Sequence, residues 1–145
     1  MSRFLLDVNT VLALLDPQHV FHDAAHAWAE GAPNARWLTC PLVQNAVVRV
    51  ASQTAYPNHL GTTKAVRTVL GSFCASSRHE FCPDDISLVD DAHMLRPDLL
   101  TPSRVMDLYL LALAHHHGAQ LATFDRRIPV EAVVGGASAM ALLPV

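Results

Sequence analysis

Phe4-Leu5-Leu6-Asp7-Val8-Asn9-Thr10 carries an apolar run into a single carboxylate, and a polar pair follows before a second apolar run at residues 11–15. The pattern predicts a buried strand whose one charge stands where a helix begins. Open α/β sheets present reactive groups at that place, outside the carboxyl ends of their strands. The motif returns near the other end of the chain, where residues 120–124 read as a strand finishing in Asp125.

The intervening sequence alternates in the same way. A short helix is predicted over residues 10–15, stopped by Asp16-Pro17. Residues 19–30 carry Val20, Ala24, Ala27 and Trp28 at helical spacing, and Gly31-Ala32-Pro33-Asn34 closes them. Residues 36–40 read as a strand. Pro41 suits the first turn of a helix over residues 42–52, with Thr39 or Cys40 near its cap. A helix over residues 62–75, a strand at 79–82 and a helix over 87–95 follow. Ser103 is expected to cap the longest helix, residues 104–117, with Val105, Leu108, Leu111, Ala112 and His115 on one face. Gly118 stands where a helix C-terminus favours glycine. After the Gly135-Gly136 break, residues 140–143 read as an edge strand. Short strands alternating with helices predict an α/β fold with a short, mostly parallel sheet flanked by helices.

Composition limits the functional classes. The 145 residues, 51% hydrophobic and 16% charged, suit one globular domain over residues 1–145. No apolar run reaches the roughly 18 residues of a membrane span, and no signal-peptide pattern opens the chain, so a cytoplasmic protein is expected. Cys40, Cys74 and Cys82 form no CxxC pair and read as reduced, mostly buried thiols. A net charge of −3, with Lys64 the only lysine, offers no global field for nucleic acid. Any such role must rest on local arginines and metal ions.

Right-handed crossovers bring helix N-termini to the same edge as strand C-termini. Asp7 and Asp125 at strand ends, Asp107 in the first turn of the long helix and Gln44 in the first turn of the helix after Cys40 therefore share one rim. Crowded carboxylates there suit a hard divalent cation such as Mg²⁺. The competing reading makes them helix caps and turn residues.

Residues 4–9, then Thr39-Cys40-Pro41-Leu42-Val43 leading to Val48-Arg49-Val50, resemble a PIN domain. So do Asp107-Leu108-Tyr109-Leu110-Leu111-Ala112-Leu113-Ala114, Gly118 and Leu121-Ala122-Thr123-Phe124-Asp125. More narrowly, the chain resembles the VapC toxins of type II toxin–antitoxin pairs. The resemblance implies a three-layer α/β/α PIN fold and a metal-dependent endoribonuclease using Mg²⁺ or Mn²⁺. It also implies structured RNA (tRNA or rRNA) as substrate, a VapB-like antitoxin as partner, a homodimer and no membrane association. Carried over by position, Asp7, Asp107 and Asp125 would be the metal ligands, with Asn9 and Thr123 orienting them.

One position departs from the family pattern. PIN domains usually place a glutamate early in the helix after the second strand, in a Thr-Glu-Asn-like context, and Gln44-Asn45-Ala46 stands there instead. Gln44 is kept as a catalytic candidate, since its carbonyl can accept from water or touch a metal, but it brings no charge. The alternative is a PIN-fold RNA- or antitoxin-binding module weakened or inactivated by that loss. An unrelated phosphotransfer or hydrolase domain has no glycine-rich phosphate loop or G-x-S-x-G elbow to support it.

Other candidates have blander readings beside them. His19, His22 and His26 have zinc-compatible helical spacing but no partner motif, and a solvated face is the preferred reading. His115-His116-His117 suits a helix C-terminus. Arg104, Arg126 and Arg127 flank the acids, where they would contact RNA phosphates or simply neutralise charge. Arg49 reads as structural, with an ion pair near the rim. Residues 11–15, with Phe21 and Trp28, offer a groove for an antitoxin helix, ordinary core or a homodimer face.

Overall fold

A computed structural model describes residues 2–145; Met1, the first residue of the expected 1–145 domain, lies outside the described residues. The chain runs β1 (Arg3–Leu6), α1 (Val8–Leu15), α2 (His22–Glu30), β2 (Arg36–Thr39), α3 (Pro41–Ala51), α4 (Thr63–Cys74) and β3 (His79–Phe81). It continues through α5 (Val105–His116), β4 (Gln120–Thr123) and β5 (Met140–Leu142). The strands form one sheet in the order β3-β2-β1-β4-β5. Every pairing is parallel, with Leu5 opposite both Leu38 and Leu121.

Parallel pairs need crossovers, and the right-handed rule sends those toward β3 over one face and the return to β4 over the other. The packing follows. α1 lies against α2 and α3, and α3 against α4, while α5 packs on β1 and β4. The α/β/α sandwich is thereby complete. Leu5, Leu38 and Leu121 in the middle of the sheet and Leu108, Leu111 and Leu113 of α5 are fully buried. Truncating one of these to alanine would cost about 2–5 kcal/mol. Phe4, Trp28 and Trp37 make a second cluster, with ring centroids 5.1 Å (Phe4–Trp28) and 5.0 Å (Trp28–Trp37) apart.

Several boundaries differ from the sequence reading for local reasons. α1 begins at Val8, because Asp7 is its N-cap and accepts from the Thr10 N–H at 2.8 Å. Val11, Leu12 and Ala13 are buried and Trp28 is packed into the aromatic cluster, whereas Leu14, Leu15 and Phe21 stay partly exposed. Cys40 is the N-cap of α3 and Pro41 its first residue. Ser103 caps nothing: a 3-10 turn over Pro102–Arg104 leads into α5, whose N-cap is Arg104. α5 is buried nearly all round, at Leu108 and residues 110–114, whereas Val105 and His115 of the expected face are exposed. Gly118, at φ +65°, ends it.

The helix expected over residues 87–95 does not form. Ser87 Oγ accepts from Val89 N–H and Asp90 Oδ1 from Ala92 N–H, so side chains satisfy donors that a helix would have used. The segment ends in a bridge between Met94 and Val133. The three cysteines are free, and burial pushes the Cys40 and Cys82 thiols up to about 12, which makes them inert. Among the described residues no helix is long and apolar enough to cross a membrane.

Candidate active site

Asp7 arrives at the rim because β1 ends one residue before it and α1 begins one residue after. It is 9% exposed. Its two oxygens are held separately: Oδ1 accepts from Thr10 N–H at 2.8 Å, and Oδ2 from the Thr123 hydroxyl at 2.6 Å. Thr123 is the last residue of β4, and its Oγ1 also accepts from Asp125 N–H at 3.1 Å. One hydroxyl thus ties the ends of β1 and β4 together. Thr10 anchors the same corner by donating its hydroxyl to Ala122 O.

Asp107 enters from the first turn of α5 and Asp125 from the residues after β4. Between them stands Arg104, whose Nη1 lies 3.1 Å from Asp107 Oδ2 and 2.8 Å from Asp125 Oδ2. Asp125 also accepts from the Arg127 backbone N–H at 2.9 Å. Asp7, Asp107, Asp125 and Thr123 line one cleft of about 460 Å³, with Asn9 and Arg49 on its walls.

The electrostatics reflect crowding. Burial raises the Asp7 carboxyl above the usual carboxylate range; the Thr10 and Thr123 hydrogen bonds pull it back, and nearby Asp107 pushes it further up. Burial also raises Asp107, with Arg104 opposing and Asp125 adding to the rise. Asp125 feels burial too, but the Arg127 N–H and the Arg104 guanidinium outweigh it and hold this carboxyl low. Three carboxylates share one cleft, two of them with pKa values raised chiefly by burial. An oxygen-rich donor set of this kind fits a hard divalent cation.

The other sequence candidates fall in different places. Gln44 is not in the cleft. Its amide donates to Thr39 Oγ1 at 2.9 Å, beside Cys74, on the side of α3 that faces α4. Ala46 is the residue of α3 that meets the cleft near the acids, along with Leu42, Val43 and Val50. Asn9 lines the cleft, but its Oδ1 accepts from His19 Nε2 at 2.8 Å rather than orienting a carboxylate. His22 and His26 donate to the carbonyls of Ala13 and Leu14, the unsatisfied end of α1. They act as caps supplied by the next helix. Arg126 borders a shallow depression with Phe21 and Phe124, whose rings stack at 4.5 Å.

Arg49, read from the sequence as structural with an ion pair near the rim, takes a different place. It is exposed, lines the cleft, and has no ion pair among the described residues. The available signal was its spacing, three residues beyond Ala46 and six beyond Val43, on the face that α3 turns to the acids.

Residues 4–132 match the family model described as the PIN domain. The chain belongs to the PIN domain family. Within it, the chain is 41% identical over 133 residues to Ribonuclease VapC44 of Mycobacterium tuberculosis, covering 92% of this chain and 93% of that one. It is 34% identical over 132 residues to Ribonuclease VapC39 of the same organism, covering 90% and 94%. These relatives put it among the VapC members of the PIN family. Solved structures agree on the fold. M. tuberculosis VapC20, a Sarcin-Ricin loop cleaving toxin, superimposes with a TM-score of 0.61 at 16% identity, covering 97% of this chain and 99% of that one. VapBC2 from Rickettsia felis, bound to a DNA fragment from its promoter, gives 0.56 at 16% identity, covering 88% and 93%. PIN-domain ribonucleases generally depend on a divalent metal ion, in keeping with the oxygen donors of this cleft.

Proposed function

We propose that this PIN-domain chain is a metal-dependent endoribonuclease and the toxin of a type II toxin–antitoxin pair, cutting structured RNA such as tRNA or rRNA. The observation that carries this reading is the meeting of Asp7, Asp107 and Asp125 in one cleft of a chain 41% identical to Ribonuclease VapC44. Mg²⁺ is the proposed cofactor, with Mn²⁺ as the substitute. When bound, such an ion lowers the pKa of water and offsets charge on a phosphodiester. Asp7 and Asp107 would hold it, and Asp125 would orient the water. Thr123 fixes the direction of Asp7 by donating to Oδ2, and Arg49 on the cleft wall would meet an RNA phosphate. Arg126 and Arg127, beside Asp125, would extend that contact.

A VapB-like antitoxin is proposed as the partner, in line with the VapBC naming of the structural neighbours. The free thiols suit the reducing cytoplasm as the place of action.

The test is cleavage of total tRNA and of rRNA with Mg²⁺ or Mn²⁺, by the native protein and by Asp7→Asn. Metal-dependent cleavage that falls about a hundredfold or more in the variant is expected. Equal cleavage by both proteins, or none with either metal, overturns the reading. The second outcome would favour a binding module that has lost its chemistry.

A further inference from the structure

At the other end of α5 a second group of metal-binding side chains comes together. His116 and His117 close the helix, and Asp85 approaches from the connection after β3. One ligand atom from each lies within 4.8 Å of the other two. His117 Nε2 is 2.8 Å from Asp85 Oδ1. His93 packs edge-on against His116 with ring centroids 5.6 Å apart, and His116 stands in the same way to His117 at 5.1 Å. Asp107 sits in the first turn of α5 and His116 in its last, so roughly 13 Å of helix separates this cluster from the acidic cleft.

We propose that Asp85, His116 and His117, with His93 beside them, form a binding site for a transition-metal dication, Zn²⁺ or Ni²⁺, that staples the connection after β3 to the end of α5. Imidazole nitrogen is the ligand such ions prefer, whereas Mg²⁺ seeks oxygen; the two ends of α5 therefore select different metals. Two imidazoles and a carboxylate make a three-ligand set with room for a fourth donor. Donors around a tetrahedral zinc stand about 3.3 Å apart. Asp85 and His116 are exposed, so each can close the remaining distance by side-chain rotation. His115 takes no part, because its ring lies over Gly135, where an added Cβ would come within 2.2 Å of it. The helix end is already fixed: Arg3 donates to the His117 carbonyl and is itself paired with Glu80.

A metal there would have a structural consequence. Residues 82–96 hold no helix or strand of their own, and Asp85 and His93 are two of their ties to α5. Joining both to His116 and His117 closes this segment onto the helix.

The experiment is a Zn²⁺ titration in excess Mg²⁺, added to compete at the acidic cleft proposed above, on the native chain and on Asp85→Asn and His116→Ala. Limited proteolysis of residues 82–96 with and without Zn²⁺ runs in parallel. The expected result is one zinc per native chain and about tenfold or greater weakening in each variant. Zinc-dependent protection should be confined to the native chain. Both substituted residues are exposed, and matching circular dichroism of the metal-free proteins checks that the variants fold. Zinc binding that is absent in excess Mg²⁺, or that survives unchanged in both variants, overturns the proposal. The RNase reading is untouched by either result, since neither variant alters the cleft.

Discussion

Residues two apart on an α-helix point roughly 200° from one another, so Ala46 and Gln44 serve nearly opposite sides of α3. Gln44 joins a half-buried polar knot instead: Thr39 Oγ1 accepts its amide and lies 2.7 Å from His79 Nε2. The face of α3 that meets the acids carries Ala46 and no carboxylate. Ala46→Glu would add a carboxylate to the cleft and should tighten Mn²⁺ binding by about tenfold, since ligand charge tunes such sites. Gln44→Glu should leave that affinity within about twofold, because its side chain faces α4. Isothermal titration of the two variants checks both statements, and the reverse order would refute the placement. Thr123 was legible as a partner of the acids only through the family resemblance. The double role of its hydroxyl depends on β1 and β4 being neighbours.

At the scale of elements, the junction after α1 is held by Asp16. This buried carboxylate accepts from the Gln18 N–H at 3.0 Å and from Tyr56 Oη and Asn58 Nδ2, both at 2.6 Å. Burial alone would raise its pKa, but these donors outweigh that and hold it below the ordinary 3.8. A lowered folded-state pKa gives stability that is full above the unfolded value and is lost as the pH falls through the folded one. Tyr56→Phe should lower the melting temperature at neutral pH and flatten its decline on acidification below about pH 4. Thermal denaturation followed across pH 2–7 measures it; an unchanged acid limb would remove Asp16 from this role. The strand and helix order was legible from apolar runs and proline and glycine positions. Residues 87–95 were not, because Ser87 and Asp90 bind their own backbone, and apolar spacing does not register that competition.

Over the whole molecule, the net charge of −3 leaves RNA binding to a few local cations. If Arg49, Arg126 and Arg127 each meet one phosphate, the logarithm of RNA affinity should fall against that of salt with a slope of about −2, the value for three single-strand contacts. Arg49→Ala in an Asp7→Asn background should weaken binding and reduce that slope by about 0.7. Fluorescence anisotropy with a labelled oligoribonucleotide reads both quantities. A slope unaffected by the change would place Arg49 outside the RNA path.

The sequence by itself determined the alternation of strands and helices and the arrival of Asp7, Asp107 and Asp125 at one rim. Those features follow from short-range periodicity and the handedness of parallel crossovers. Only the tertiary structure decided which face of α3 meets the acids and that Arg104 bridges Asp107 and Asp125. It likewise decided that His22 and His26 cap α1 and that His116 and His117 meet Asp85. Each of these depends on the rotation of one helix against its neighbours. That angle is set by the packing of side chains distant in sequence, and no local pattern encodes it.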